Sequence, residues 1–351
     1  MADEQIAQSA KPPLLSVVMS VYNGETYLAD AVDSILAQTF RDFEFIIIDD
    51  GSSDGSLGIL QDYAARDPRI RIVEQENTGL TIALCRGVEM SRGTYVARMD
   101  ADDISLPNRF EKQIALLEMR PDLSASTCGV EHFFDDGSIS HIAHIAINPQ
   151  LIPLYMCFSN RIGGHGQVMF RRSAYDAAGG YDPSFRYAQD YDLWTRLLDT
   201  GGFGVLDDTL YRFRTGHDSI SKRSKSAQTD NSLRTTRSQY EKVTGQPIDL
   251  ETAQAMRDFW WKNPASETDY RHLLGAAKAM SRAVGVFFDR HPHLRAEEFE
   301  VRRNLAARWW WRRNETEPFD LGRKALILAI VFGLGLQALL AKARGKSGGH
   351  A

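Results

Sequence analysis

The feature that most constrains the fold is a regular alternation of short apolar strands and amphipathic helices between Leu14 and Leu117. The runs LLSVVMSV, FEFIII, IRIVEQ and TYVARM have the length and continuous hydrophobicity of strands in a buried sheet. Helix-period segments such as ETYLADAVDSILAQ and LGILQDYAARD separate them. Because such units join parallel strands through crossover helices, the pattern predicts an α/β fold with a doubly wound, mostly parallel sheet.

Polar clusters follow three of these predicted strands. The stretch YNGE comes after the first strand, DDGS after the second, and DADD after TYVARM. Ligands of open α/β sheets bind beyond the carboxyl ends of the strands. We therefore expect the three clusters to meet at one rim of the sheet.

The third cluster places Asp100, Asp102 and Asp103 within four positions. Like charges this close raise one another's pKa, so a cation or a donor-rich ligand is expected nearby. Carboxylate oxygens suit Mg²⁺ or Mn²⁺, which proteins commonly hold with one or two carboxylates plus substrate phosphates. Alternatively, the aspartates belong to a loop that caps the next helix, since Ser105 and Pro107 precede the amphipathic run NRFEKQIALLEM. From this stretch alone both interpretations stay open.

Composition narrows the class of protein. A chain of 351 residues with 43% apolar and 25% charged residues can bury one large core, or a core plus a helical appendage. Its net charge of -5 gives no sign of a general nucleic-acid binder. The three cysteines are far apart, which suggests neither a zinc site nor a disulfide framework and favours a reducing compartment. The N-terminal MADEQIAQSAK lacks the features of a secretory signal.

Four ordered segments resemble the family 2 glycosyltransferases of the GT-A fold. The matching segments are LLSVVMSVYNGETYLADAVDSILAQTFRDFEFIIIDDGSSDGS, ENTGLTIALCRGVEMSRGTYVARMDADDISLPNRF, HGQVMFRRSAYDAAGGYD and YAQDYDLWTRL. They run in the order of that family from Leu14 to about Phe213. The resemblance implies an inverting, metal-dependent enzyme that moves a sugar from a nucleotide sugar, expected to be a UDP-sugar, to a saccharide or lipid-linked acceptor in surface glycan or polysaccharide biosynthesis.

The resemblance also implies a donor site. The residues expected around the nucleoside are Ser20, Tyr22, Glu25 and, on the edge of the uracil ring, Asp50, with Asp49 orienting that loop. Asp100 is expected to bond the ribose and Asp102 to bind the Mn²⁺ or Mg²⁺ ion, with Asp103 as a supporting partner. Only a group that faces the diphosphate can share its metal, and Asp100 leaves the strand earlier, nearer the sugar ring. Cys85 departs from the family, in which many members carry Asn, and is a poor hydrogen-bond partner.

Further along the chain, His165 matches a family histidine that lies close to the donor phosphates or the metal. The alternative for His165 is an ordinary loop residue among the glycines of SNRIGGHG. One of Arg171 and Arg172 is expected to reach phosphate, and the other to be a solvated strand end.

Asp190 matches the catalytic base of the family. It opens an apolar helix, and family members usually read Glu-Asp where this chain has Gln189 and Asp190. A carboxylate suits this task because the acceptor hydroxyl must lose its proton as it attacks the anomeric carbon opposite the leaving diphosphate. Capping of the helix is the alternative role for Asp190, and for Asp192 in the same turn.

Two other functions compete with a single-addition transferase. A catalytically inactive nucleotide- or glycan-binding protein of the same fold is disfavoured because both Asp102 and Asp190 are present. A processive polysaccharide synthase would carry Gln-x-x-Arg-Trp and several membrane spans. Here Leu305 stands at the Gln position of NLAARWW, and only one apolar stretch of the sequence could reach across a bilayer.

The sequence divides into four predicted parts. These are a disordered N-terminus (1–13), a GT-A domain (14–225, with a nucleotide-binding half 14–118 and an acceptor and base half 119–225), a helical extension (226–320) and a hydrophobic tail (321–351). The apolar run Ala325–Ala341 has 17 residues between basic flanks, at the lower limit of about 17 to 25 for crossing a bilayer. We expect this tail to attach the enzyme to the cytoplasmic face of the plasma or inner membrane, or else to form an oligomer helix between subunits.

Overall fold

The computed structural model describes residues 11–216, 225–261 and 270–312, together with the isolated positions Gly333 and Gln337. The chain divides into two compact units. The first comprises the chain up to Ile152 and Arg161–Asn231, and the second comprises Pro153–Asn160 and the chain from Ser232 onward. The short segment 153–160, inside the predicted GT-A domain, thus belongs to the second unit.

The first unit begins with the predicted strand and helix units. They are β1 (Leu15–Val21), α1 (Leu28–Leu36), β2 (Phe43–Asp49), α2 (Ser56–Arg66), β3 (Ile70–Glu74), α3 (Leu80–Glu89) and β4 (Tyr95–Met99). The later elements are β5 (Ile104–Ser105), α4 (Arg109–Met119), β6 (Leu123–Phe133), β7 (Ile139–Ala143), β8 (Met169–Arg171), α6 (Arg172–Ala177), α7 (Gln189–Leu197) and β9 (Gly202–Arg214). The short helix α5 (Ile152–Tyr155), between β7 and β8 in the chain, starts at the last residue before the segment 153–160 and belongs to the second unit from Pro153 onward.

These strands form one mixed sheet in the order β3-β2-β1-β4-β8-β6-β9-β5, with β7 paired to β6. The strands β3, β2, β1 and β4 are parallel, as the sequence predicted. Beyond β4 the directions mix, because β8 runs antiparallel to β4 and β6, while β6 and β9 are parallel. Antiparallel neighbours need no crossover helix, and the strand-helix repeat of the sequence accordingly stops at β4.

The parallel half is held by apolar burial on both faces. Every residue of β2 is buried, and the core side chains of β1 are fully covered. Helix α3 approaches the sheet closely at Gly87, where an added Cβ atom would lie 2.5 Å from Val18 Cγ1. A side chain at this position would separate the helix from β1, so glycine permits the close contact. The loops at the strand ends therefore lie on a tightly packed sheet.

The second unit is helical, which confirms the predicted extension over the described residues. Its helices are the part of α8 (Lys225–Thr244) from Ser232 onward, α9 (Leu250–Trp261), α10 (Tyr270–Arg290) and α11 (Glu298–Arg312). Trp260 packs against Tyr155 and Phe158 at ring-centroid distances of 5.9 and 5.6 Å, and the guanidinium of Arg308 lies 4.3 Å from its ring centroid.

Most of the predicted tail, 321–351, and residues 1–10 lie outside the described residues. Gln337, one of the two described positions of the tail, accepts hydrogen bonds from Ser281 Oγ at 2.5 Å and Arg302 Nη1 at 3.0 Å. Within the described ranges, no helix has both the length and the apolar character needed to cross a membrane.

Candidate active site

The first two polar clusters are joined by hydrogen bonds between their loops. Asn23 Oδ1 accepts from the Ser53 amide at 2.8 Å, and Ser56 Oγ accepts from the Gly24 amide at 2.9 Å. Asn23 adopts a positive φ of 52°, a conformation that asparagine tolerates better than most residues. Both loops follow neighbouring parallel strands, so the shared rim expected from the sequence forms here.

Three predicted nucleoside-binding residues lie on this rim. Ser20 is half-buried near the end of β1, and the side chain of Tyr22 is 56% exposed directly after the strand. The exposed Glu25 accepts a hydrogen bond from the Gly55 amide through its carboxylate. Glu25 therefore links the two loops, and its contact with a nucleoside stays a prediction.

The fourth, Asp50, is buried and organises a third loop. Its Oδ1 accepts from Gln75 Nε2 at 2.6 Å and from the Thr78 amide at 2.9 Å, while Oδ2 accepts from the Gly79 amide at 2.9 Å. Gly51 follows with φ of 78°, and a Cβ atom there would lie 2.8 Å from the Asn77 backbone nitrogen. Asp50 thus fixes the loop that follows β3 beside the rim, which leaves its carboxylate little capacity for a nucleobase.

The aspartate side chains of the DADD cluster, directly after β4, point in two directions. Asp100 is half-buried and forms an ion pair with the buried Arg98. Asp103 is fully buried and its Oδ1 accepts from the Arg214 amide at 2.8 Å. Asp102, between them, is half-buried. Of the three, Asp103 turns into the protein, whereas Asp100 and Asp102 keep access to the rim.

Burial and mutual repulsion act on the protonation of this cluster. The pKa of Asp100 is raised by desolvation and by the Asp102 charge, although Arg98 opposes this rise. The pKa of Asp103 is raised well above its usual range by burial and by the charges of Asp100 and Asp102.

The capping interpretation of the aspartates is wrong, because helix α4 has Asn108 as its N-cap, beyond the acidic residues.

Asp190 is the second residue of α7 and is half-buried. The N-cap position belongs to Ala188, which adopts a left-handed conformation with φ of 55°. Desolvation raises the pKa of Asp190 to about 6, even though the Tyr191 amide and the Arg98 cation favour its charged form. Asp192 instead pairs with Arg196 at 2.6 Å. The structure therefore separates a carboxylate suited to proton transfer from one engaged in an ion pair.

The charge of Arg98 acts on the acidic cluster and also on Asp190 and His165. It pairs with Asp100, favours the charged form of Asp190 and lowers the pKa of His165, after the larger effect of burial on that histidine. His165 is buried, hydrogen-bonds to Tyr181 through Nε2 and packs edge-on against Trp194 at a ring-centroid distance of 5.6 Å. A neutral imidazole in this packing supports the site from within, and contact of His165 with phosphate stays a prediction.

The expectation that Arg171 or Arg172 reaches phosphate is wrong. Arg171 donates to the Leu123 carbonyl at 2.8 Å, and Arg172 donates to the Val88 carbonyl at 2.6 Å. Arg171 pairs in the sheet with Tyr95, the first residue of β4, whereas the acidic cluster follows the last residue. Both arginines therefore stabilise the opposite end of the sheet.

The structure also shows the contact of Cys85, and it reveals two site residues that the sequence did not indicate. Cys85 Sγ lies 3.8 Å from the Tyr181 carbonyl, a contact in which a thiol is only a weak donor. Sequence reasoning missed Arg98 and Arg214 as residues of the site. The only sequence signal for Arg98 is a charge inside the otherwise apolar run YVARM.

Comparison with known proteins agrees with this arrangement. The S. aureus TarS fragment 1–349 in complex with UDP-GlcNAc aligns with a TM-score of 0.57 and 14% sequence identity, covering 94% of this chain and 92% of TarS 1–349. The curled α/β sheet with its acidic rim therefore has the GT-A fold of such glycosyltransferase structures.

The family follows from sequence matches. Residues 16–179 match the family described as glycosyl transferase family 2. The putative glycosyltransferase EpsE of Bacillus subtilis is 34% identical over 226 residues, which cover 63% of this chain and 80% of EpsE. The amylovoran biosynthesis glycosyltransferase AmsE of Erwinia amylovora is 33% identical over 214 residues, covering 60% of this chain and 79% of AmsE. The chain belongs to the family 2 glycosyltransferases and is an enzyme of that class.

Proposed function

We propose that this enzyme transfers a sugar from a UDP-sugar to a hydroxyl group of a saccharide or lipid-linked acceptor, with inversion at the anomeric carbon. The observation that carries the proposal is the position of Asp190. It is a half-buried carboxylate in the first turn of α7, its pKa is raised to about 6, and the Arg98–Asp100 pair acts on its charge. A base with this pKa is largely ionised at neutral pH and still accepts a proton.

In the proposed reaction Asp190 takes the proton from the acceptor hydroxyl as its oxygen attacks the anomeric carbon. The sugar–phosphate bond breaks on the opposite face, and the nucleoside diphosphate leaves with the bonding electrons. Asp100 orients the donor through the ribose, held by Arg98. A single displacement of this kind inverts the configuration, and no covalent intermediate on the enzyme is needed.

The acidic cluster fits a divalent cation. Its donors are hard carboxylate oxygens, and the raised pKa values of Asp100 and Asp103 reflect burial and crowded negative charge that a cation would relieve. Within the described parts of the chain, no group of three or more His, Cys, Asp or Glu side chains forms a complete ligand set. Asp102 would hold such an ion as its ligand from the protein. When bound, Mn²⁺ or Mg²⁺ would supply positive charge that stabilises the leaving diphosphate.

The choice of donor and acceptor draws on the related proteins. TarS of the same fold binds UDP-GlcNAc, and AmsE is named for amylovoran biosynthesis. These names support a UDP-sugar as donor and a growing surface polysaccharide as acceptor. The presence of both Asp102 and Asp190, with Arg98 and Asp100 acting on the charge of Asp190, disfavours an inactive binding protein.

The decisive experiment is a screen of UDP-sugars with Mn²⁺, in which UDP release is measured with and without saccharide and lipid-linked acceptors. We expect one donor to give acceptor-dependent UDP release and a product whose anomeric configuration, determined by NMR, is inverted. A product of retained configuration contradicts the assignment of Asp190. Tight UDP binding without turnover on any acceptor supports the binding-protein alternative instead.

Membrane association through residues 321–351 is part of the same proposal. Tethering at the cytoplasmic face would raise the effective concentration of the enzyme near lipid-linked acceptors. We expect truncation after Asp320 to move the protein from the membrane pellet to the supernatant, with loss of activity chiefly on lipid-linked acceptors. A full-length chain that needs no detergent, or a truncated chain that stays in the pellet, would favour the oligomer helix.

A further inference from the structure

Arg214, the last residue of β9, is buried although it is charged, with 5% of its surface exposed. Its contacts fall into two sets. The inner set joins it to the backbone and side chain of the acidic loop after β4. The outer set joins it to α1 and to the turn between β6 and β7.

The inner contacts hold two consecutive residues of the acidic loop. Arg214 Nε donates to the Asp102 carbonyl at 2.9 Å, and the Arg214 amide donates to Asp103 Oδ1 at 2.8 Å. Together they fix the peptide group that carries the Asp102 side chain. Because the Asp103 side chain is fully buried, its carboxyl group needs hydrogen-bond donors from the protein to keep this conformation.

The outer contacts hold the guanidinium itself in place. Its Nη2 and Nη1 lie 3.3 Å from Asp30 Oδ2 and 3.3 Å from Asp135 Oδ1. The guanidinium also lies over the ring of Tyr27, 4.2 Å from its centroid, and Tyr27 donates its hydroxyl to Asp135 Oδ2 at 3.0 Å. The planar group is thus oriented from several sides, which directs Nε toward the Asp102 carbonyl.

We infer that Arg214 is a positioning residue that sets the conformation of the acidic loop so that the Asp102 carboxylate faces the donor diphosphate. It does so through the hydrogen bond from Nε to the Asp102 carbonyl, with Asp30, Asp135 and Tyr27 as the anchor of the guanidinium. This inference rests on the proposed role of Asp102 as the metal ligand. Arg214 thus acts on the metal site through the loop, without a contact of its own to the nucleotide or the metal.

The test is calorimetry of UDP binding to the full-length protein with and without Mn²⁺. The quantity of interest is the ratio of the two dissociation constants, because general loosening of the fold weakens both. For Arg214→Gln we expect the gain in UDP affinity from Mn²⁺ to fall by at least about tenfold, with metal-free affinity changed by less than about twofold. Arg214→Lys keeps a cation near Asp30 and Asp135 but lacks the Nε donor, so its gain from Mn²⁺ should fall as well.

Arg212 provides the matched control. It lies on the same strand, pairs with Glu131 at 2.5 Å and lies 4.4 Å from the centroid of the Phe133 ring. We expect Arg212→Gln to retain the full gain from Mn²⁺. If Arg214→Lys, or a folded Arg214→Gln, matches Arg212→Gln in that ratio, the inference is wrong. If the wild-type protein gains no UDP affinity from Mn²⁺, the proposed metal site fails instead.

Discussion

Replacement of Asp190 with asparagine is expected to lower the turnover number by about 10²- to 10⁴-fold while UDP binds as tightly as before. The change removes the proton acceptor but keeps the volume of the side chain and its place in the first turn of α7. Steady-state kinetics with saturating donor and acceptor, together with UDP calorimetry, separate the two effects.

The pH dependence of the wild-type enzyme belongs to the same prediction. The pKa of Asp190 is raised to about 6 by desolvation, and the base works in its deprotonated form. Activity should therefore rise with pH through about 6 and level off above it, and this acidic limb should be absent from the residual activity of Asp190→Asn. The rate should be followed from below to above that pH at saturating substrates.

Asp192→Asn is the matched control for this variant. Asp192 lies two positions later in the same helix, and its carboxylate is engaged by Arg196 at 2.6 Å. It should change the turnover number little and keep the acidic limb. A loss of turnover for Asp192→Asn equal to that for Asp190→Asn would show that the carboxylates of α7 support the helix and that neither is the base.

Replacement of Asp102 with asparagine is expected to abolish most of the gain in UDP affinity that Mn²⁺ provides. A neutral amide is a poor ligand for a hard divalent cation, whereas its volume matches that of the carboxylate, so the fold should be retained. Calorimetry of UDP with and without Mn²⁺ measures the effect, and the thermal unfolding temperature checks the fold.

Asp122→Asn is the control for the loss of one negative charge. Asp122 is a surface residue directly before β6 and pairs with Arg120 at 2.7 Å. This variant should bind UDP and Mn²⁺ as the wild-type protein does. Unchanged affinity in Asp102→Asn would remove Asp102 from the metal site and leave Asp100 as the remaining accessible carboxylate of the cluster.

The parallel half of the sheet could be predicted because its signals are local. Strands buried on both faces have continuous apolar runs, and the helices between them show a period of 3.6 residues. The mixed half could not be predicted in the same way. Strand β8 has three residues, Met169–Arg171, and such a short segment carries too little periodicity to reveal that it lies between β4 and β6.

The candidate site, like the sheet, could be predicted only in part from the sequence. The positions of the polar clusters followed from the strand ends, and the start of α7 followed from the apolar face of that helix. The fate of each carboxylate did not follow, because Asp100, Asp102 and Asp103 are chemically alike in the sequence. Their separation depends on Arg98 on one side and on Arg214 on the other.

The sequence by itself determined the class of fold, the rim that carries the polar clusters and the residue types available for catalysis. Only the tertiary structure decided which of those side chains lie at the rim and which turn into the protein, as Asp103 does. Arg214 and Asp30 are 184 positions apart, and Arg171 looks as suitable for phosphate as any arginine until its carbonyl partners are known. The physical reason is that hydrophobic periodicity acts between near neighbours in the chain, whereas burial, ion pairing and the pKa of a carboxylate depend on groups that only folding brings together.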